Sequence, residues 1–188
     1  MSNNERLWWV TSDDRPIGSV LRKVADTEPS ARHREVGIIV VRKSDKKVYF
    51  QKRSLYKKIL PGWWSTGCAG HVSFGESARD AGIRELGEEL HVDVTEDDLQ
   101  FFGKELTTRP NEEHFKYWYV FEVDDDFNPI LDPTEVADGK FLSLEEVKKM
   151  RVGEAKFYEP YLDIVNHYLT NDNSGLILEE EPNAKNNL

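Results

Sequence analysis

In GHVSFGESARDAGIRELGEELHV, Gly70 to Val92, a glycine-led turn runs into an acidic helix. Ser77 fits an N-cap, and the helix it opens is expected to run to about Leu90. Each helical residue advances about 100°, so with Glu85 at zero Glu88 and Glu89 fall about 60° and 40° to either side. Ile83, Leu86 and Leu90 gather at about 100° to 160°, and the carboxylates read as sharing a face apart from that apolar stripe. Above them stand Ala78, Ala81 and Gly82, small enough to let something approach closely. Arg84 can pair with Glu88, but Glu85 and Glu89 repel at a spacing where like charges cost roughly 0.2 to 0.5 kcal/mol. Convergent carboxylates suit a hard divalent cation, and a solvated acidic face has the same spacing. Geometry alone leaves both open.

Composition narrows the classes. The 188 residues, 38% hydrophobic and 32% charged with five Trp, seven Tyr and nine Phe, fit a single domain over residues 1–170. A polar tail over 171–188, ending EEEPNAKNNL, is expected to be disordered. The lone Cys68 excludes an intrachain disulfide, and MSNNERLWWV has neither a basic leader nor a long apolar run, which points to the cytoplasm. No apolar stretch nears the roughly 20 residues that cross a bilayer, so no membrane role is expected. A net charge of −10 argues against a nucleic acid polymer as partner. A small anion remains compatible if positive charge is local, and Lys52, Arg53, Lys57 and Lys58 supply it just upstream of the helix.

Around this segment the chain reads as strands with a few helices, an α/β or α+β sandwich. Strands are expected at Leu7–Val10, Val36–Val41, Val48–Arg53, Phe101–Leu106 and Lys116–Val123, with loops at Leu60–Trp64 and Arg109–Glu113. Ser143 and Glu146 have capping-box spacing for a short helix, and a last helix is expected over about Phe157–Leu169. Trp8, Trp9, Trp118 and Tyr119 read as packing residues or a homodimer surface, Trp63 and Trp64 as loop packing or the flank of a pocket, and Cys68 as an inert buried thiol.

Gly70, five residues, Glu76, seven residues, Arg84-Glu85-Leu86, one residue, Glu88-Glu89, one residue, then His91-Val92 closely resembles the Nudix box, G-x5-E-x7-R-E-U-x-E-E-x-G-U with U aliphatic. Eight of nine specified positions match, and His91 stands where the box has its second glycine. At a helix end that often turns left-handed, a histidine there is expected to cost about 1 kcal/mol. The resemblance implies a Nudix-type sandwich, a mixed β-sheet between helices. It implies Mg²⁺, with Mn²⁺ as the alternate, held by Glu85, Glu88 and Glu89, and Gly70, Glu76 and Arg84 organising the loop. It also implies hydrolysis of a phosphoanhydride in a nucleoside di- or triphosphate or related diphosphate. Glu85 or Glu89 would take the proton from water; in some members the base lies in a later loop, for which Glu112 and Glu113 are candidates.

A second resemblance reaches outward. Lys52-Arg53-Ser54-Leu55-Tyr56-Lys57-Lys58, Pro61-Gly62-Trp63-Trp64, Gly70-His71 and Gly75-Glu76-Ser77 are similar to type I isopentenyl diphosphate isomerases, a branch of the Nudix fold. It implies diphosphate contacts at Arg53 and Lys57 and metal histidines at His33 and His71, with Asp26 where a third histidine would stand. The branch needs a cysteine before Gly-His, where this chain has Ala69; Cys68, one residue earlier, would face the other way in an extended segment. Its catalytic glutamate falls on Lys116 and a metal-binding glutamate on His114. The complete Arg-Glu-x-x-Glu-Glu cluster favours an isomerase-like hydrolase over an isomerase, with a binding module lacking catalysis as a third reading.

Overall fold

Val36, Ile38, Ile39, Val40 and Val41 are all fully buried, so this β-branched run, apolar on both faces, becomes the central strand of a two-sided sheet. The computed structural model describes residues 4–180. In chain order come β1 (Arg6–Val10), β2 (Pro16–Leu21), the single turn α1 (Arg22–Ala25), β3 (His33–Arg42), β4 (Val48–Arg53), β5 (Trp64–Thr66), β6 (Cys68–His71) and α2 (Ala78–Leu90). They are followed by β7 (Leu99–Arg109), β8 (Glu112–Val123), β9 (Val136–Leu142), α3 (Leu144–Val152) and α4 (Glu159–Thr170). β3 lies parallel to β8 and antiparallel to both β4 and β6, in a seven-stranded sheet with the path β5-β4-β3-β8-β7 and β9 on β4. The sheet is therefore mixed, as expected.

The alternation of β3 sorts the core. Val36, Ile38 and Val40 pack with Leu86 and Leu90 of α2, while Ile39 and Val41 pack with Trp118, Leu162 and Val165 under α4. The sheet thus lies between α2 and the C-terminal helices. Capping boxes at Ser77 and Ser143 start α2 and α3. A Cβ on Gly82 would stand 2.9 Å from Ile38 Cδ1 and 3.3 Å from Leu99. The small residues of α2 hence admit the sheet and leave no room for a ligand, contrary to the expectation from the helix wheel.

Several boundaries differ from the sequence reading for a common reason, long-range pairing. β5 and β6 form in the stretch beside Pro61-Gly62 because β4 and β3 offer them edges, and β9 was not expected at all. Arg109 pairs with Glu112, so the expected loop shrinks to Pro110-Asn111. Residues 171–180 depart from the disordered tail: Ile177 bridges to Lys104, and Glu180 accepts from Arg79 and Tyr119. Residues 181–188 lie outside the described residues.

The β1–β2 hairpin forms its own two-stranded sheet, pinned to the main body at two places. Asp14, buried at the hairpin turn, accepts from Arg34 Nε at 2.7 Å and Lys104 Nζ at 2.5 Å. Trp8 Nε1 donates to the Glu76 carbonyl at 2.8 Å, and Leu7 bridges to Ser73, so the hairpin braces the turn that leads into α2.

Candidate functional site

Arg84 ties the glycine-led turn to the helix. Its Nη2 donates to Glu76 Oε1 and to the His71 carbonyl, each at 2.9 Å, while Glu76 Oε1 also accepts from the Ser73 amide at 2.7 Å. Arg84 Nη1 donates to Glu85 Oε1 at 2.7 Å. Gly70 is where β6 meets this carboxylate: a Cβ there would stand 1.9 Å from Glu85 Oε1, so only glycine lets the two come together. The helix ends at His91 with φ 52° and ψ 44°, the left-handed conformation anticipated there, and His91 Nδ1 lies 2.9 Å from the Ile130 carbonyl.

The three glutamates of α2 do not share one environment. Glu85 and Glu89 are buried on the sheet-facing side with Leu86 and Leu90, whereas the Glu88 side chain is 60% exposed, with Arg84 Nη1 at 3.5 Å. Glu85 and Glu89 therefore sit on the buried stripe, and Glu88 alone of the three stands apart from it. Burial pushes the Glu89 carboxyl up to about 8; Gln51 Nε2, donating at 2.6 Å, opposes the shift, and the charges of Glu85 and Glu135 add to it. Burial also raises Glu85, against the nearby Arg84 guanidinium. Two buried carboxylates four residues apart, with Arg84 bonded to only one of them, are a donor set that fits a divalent cation.

At the end of β4 and in the loop that follows it, the expected basic residues are occupied. Lys57 Nζ pairs with Glu135, just before β9, and Arg53 Nε donates to the Ile59 carbonyl at 3.1 Å. Both Lys57 and Glu135 are felt electrostatically at Glu89, which puts this loop pair beside the end of α2. Glu112 and Glu113 are elsewhere engaged, with Arg109 and with Arg32 at the β7–β8 turn. The loop acid close to the box is Glu135, absent from the sequence reading because its approach depends on how β9 pairs with β4.

On the opposite face, the first residues of β3 and β8 align His33 with His114, and β6 brings His71 opposite Glu35. The ligand atoms of Asp26, His33 and His71 all lie within 4.8 Å of one another, as do those of His33, Glu35 and His114. Among the described residues these are the groups that close so tightly, and the triplet Glu85, Glu88 and Glu89 does not. His33 and His114 have no exposed surface and their four ring nitrogens make no hydrogen bond. Burial holds them neutral, pushing His33 down to about 4 and His114 to about 3. Glu35 joins the groups, with His71 Nε2 at 3.7 Å and His114 Nε2 at 3.4 Å. Lys116 Nζ donates to Glu35 Oε2 at 2.9 Å and contacts the Tyr161 hydroxyl. Sequence matching flagged His33, His71 and Asp26 and set His114 at the position of a metal-binding glutamate; Glu35, beside His71 and His114, required the strand registers.

Cys68 is buried on the α2 face, its thiol pushed well up by burial, while Ala69 points to the other face, as the strand alternation required. Trp64 is buried and stacks on Phe157 with centroids 6.0 Å apart, and Trp8, Trp118 and Tyr119 are core residues.

Residues 31–161 match the model of the NUDIX domain. An uncharacterised Nudix hydrolase of Pseudomonas aeruginosa is 30% identical over 161 residues, spanning 79% of this chain and 87% of the relative. An isopentenyl-diphosphate Delta-isomerase of Photorhabdus laumondii is 27% identical over 160 residues, 84% of this chain and 90% of the isomerase. Among solved structures, a Deinococcus radiodurans protein shares the fold with a TM-score of 0.66 at 24% identity, covering 87% of this chain and 98% of that one. No helix among the described residues is long and apolar enough to cross a membrane. With the sandwich, the box and these likenesses together, the chain belongs to the NUDIX domain family, and its relatives there include Nudix hydrolases.

Proposed function

We propose that the chain is a Mg²⁺-dependent pyrophosphohydrolase cleaving a phosphoanhydride in a nucleoside di- or triphosphate or a related diphosphate. The observation that carries this reading is the pair of buried carboxylates, Glu85 and Glu89, framed by Gly70, Arg84 and Gln51. Glu85 and Glu89, with Glu88 at the rim, would hold the cation. A divalent ion bound there supplies charge neutralisation for the diphosphate and acidifies a bound water. Arg84 fixes Glu85 as a ligand, and Glu89, not paired to a cation of the chain, is the better proton acceptor. Lys57, on the loop beside Glu89, and Arg53, at the end of β4, are the diphosphate contacts; Lys57 exchanges Glu135 for phosphate when substrate enters.

A panel of nucleoside di- and triphosphates, nucleoside diphosphates linked to other groups and isoprenoid diphosphates, assayed with Mg²⁺ for released phosphate or pyrophosphate, tests this. Turnover by wild type that is lost in Glu89→Gln is expected; wild type and variant equally inert on every compound would overturn it.

A second reading has its own observation, the closed histidine groups. Imidazoles together with carboxylates suit Zn²⁺, and Asp26, His33 and His71, or His33, Glu35 and His114, would hold such an ion. Likeness to isomerases alone does not favour isomerisation, since Ala69 replaces the thiol and a lysine occupies the position of the catalytic carboxylate. Conversion of isopentenyl diphosphate to its dimethylallyl isomer, followed in the same panel, would reverse that judgement.

A further inference from the structure

Gln51 stands at the middle of the sheet with its amide aimed at the box. Its backbone is held on both sides, paired with Ser65 of β5 and Gly139 of β9, so the side chain leaves from a rigid strand. It is 6% exposed, and its Nε2 donates to Glu89 Oε2 at 2.6 Å across 38 residues of sequence. Its Oε1 is buried and makes no hydrogen bond. A buried amide is costly when half satisfied, and a strand position that served packing alone would carry an apolar side chain, as Tyr49 and Phe50 do beside it.

We infer that Gln51 is a positioning residue for the divalent cation of the box: its Nε2 occupies one oxygen of Glu89 so that the other is presented to the ion, and its Oε1 accepts from water that accompanies the ion. The two halves of the amide make complementary demands. An ionised Glu89 is an acceptor only and needs a donor on the oxygen that faces the strand, which Nε2 supplies. A hydrated cation brings O–H donors, and Oε1 is an acceptor with no other claim on it. Arg84 performs the matching task for Glu85, with a charge, from the helix side. Glu89 is thereby held from the sheet and Glu85 from the helix, so the two carboxylates keep their relation to each other without a covalent or ionic tie between them. This inference rests on the box holding a cation, as proposed above.

Mn²⁺ titration of the full chain in the absence of substrate, followed by the electron paramagnetic resonance of free Mn²⁺, separates the two. Gln51→Leu is expected to weaken Mn²⁺ binding about 10- to 100-fold, the range for loss of a ligand's hydrogen-bond partner, while the melting temperature without metal stays level or rises. Glu89→Gln should weaken binding at least as much. Mn²⁺ affinity within twofold of wild type in Gln51→Leu, with Glu89→Gln impaired, overturns the role of Gln51 and leaves the box reading standing. Unchanged binding in Glu89→Gln overturns both. Should Gln51→Leu fail to fold, Gln51→Met, apolar and of similar length, is put through the same titration and judged by the same twofold limit.

Discussion

Glu35 and Glu89 lie on opposite faces of one sheet, both packed away from water, and their carboxyls go opposite ways. Burial raises both, but at Glu35 the Lys116 ammonium outweighs it and holds the carboxyl well below its usual range. At Glu89 the opposing contributions are a neutral amide and the more distant Lys57, and the carboxyl rises to about 8. One site contains its own cation in Lys116; the other, on the reading proposed above, is completed by a cation from outside. On the reading proposed above, Glu35 is structural in the free protein and Glu89, a buried carboxyl with no cation bonded to it, is the acid held for chemistry.

Glu89 should show the largest effect. Removing its charge should abolish function while relieving the fold. Glu89→Gln is expected to lower turnover by about 10³-fold and to stabilise the metal-free protein by about 1 kcal/mol. Steady-state rates on the responsive substrate and urea unfolding in chelator measure the two. Loss of both activity and stability would show that Glu89 is an ordinary core residue.

Lys116 is the converse. Lys116→Met strands Glu35 among apolar side chains and neutral imidazoles, and breaking a buried pair from one side costs about 3–5 kcal/mol. The double variant Lys116→Met/Glu35→Gln should recover most of that loss in urea unfolding, because no charge is then left uncompensated. If the double variant is as unstable as the single, Lys116 acts through packing on Tyr161 and Trp118 and the ion pair is incidental.

How much of this was legible in the sequence follows from distance along the chain. The start of α2, the motif in its leading turn and its left-handed end at His91 could be read, because Gly70, Glu76, Arg84 and Glu85 interact at fixed local spacings. The helix wheel failed at Ala78, Ala81 and Gly82, because it gives angles around an axis and does not say what lies opposite. Gln51, Glu135 and Glu35 were invisible for another reason. Gln51 reaches Glu89 only once β4 lies in the sheet, and Glu35 meets His114 only through a parallel register that no local pattern encodes. The same holds for β5, β6 and β9, short segments whose hydrogen bonds come from distant edges.

The Lys57–Glu135 pair is intermediate between the two sites: the chain supplies a cation but shares it with an acid. Lys57→Ala is expected to raise KM for the diphosphate substrate about tenfold, or ~1.4 kcal/mol, with kcat changed by less than threefold. A fall in kcat with KM unchanged would move Lys57 from substrate binding to the reacting centre.

The smallest effect belongs to His91, where the chain departs from the box. Its backbone is left-handed, a conformation that costs a non-glycine residue roughly 1 kcal/mol, and the exposed bond from its ring to the Ile130 carbonyl returns about 0.5–1 kcal/mol. His91→Gly removes both, so stability should stay within about 1 kcal/mol of wild type. His91→Ala keeps the strain and loses the bond, and should fall about 1 kcal/mol below wild type. Thermal unfolding of the three proteins should therefore rank alanine lowest with histidine and glycine close together, and turnover should be equal in all three, because Glu85 and Glu89 are fixed from Arg84 and Gln51 rather than from the helix end. Activity falling in parallel with stability across the series would mean that the end of α2, and not the sheet, sets the position of Glu89.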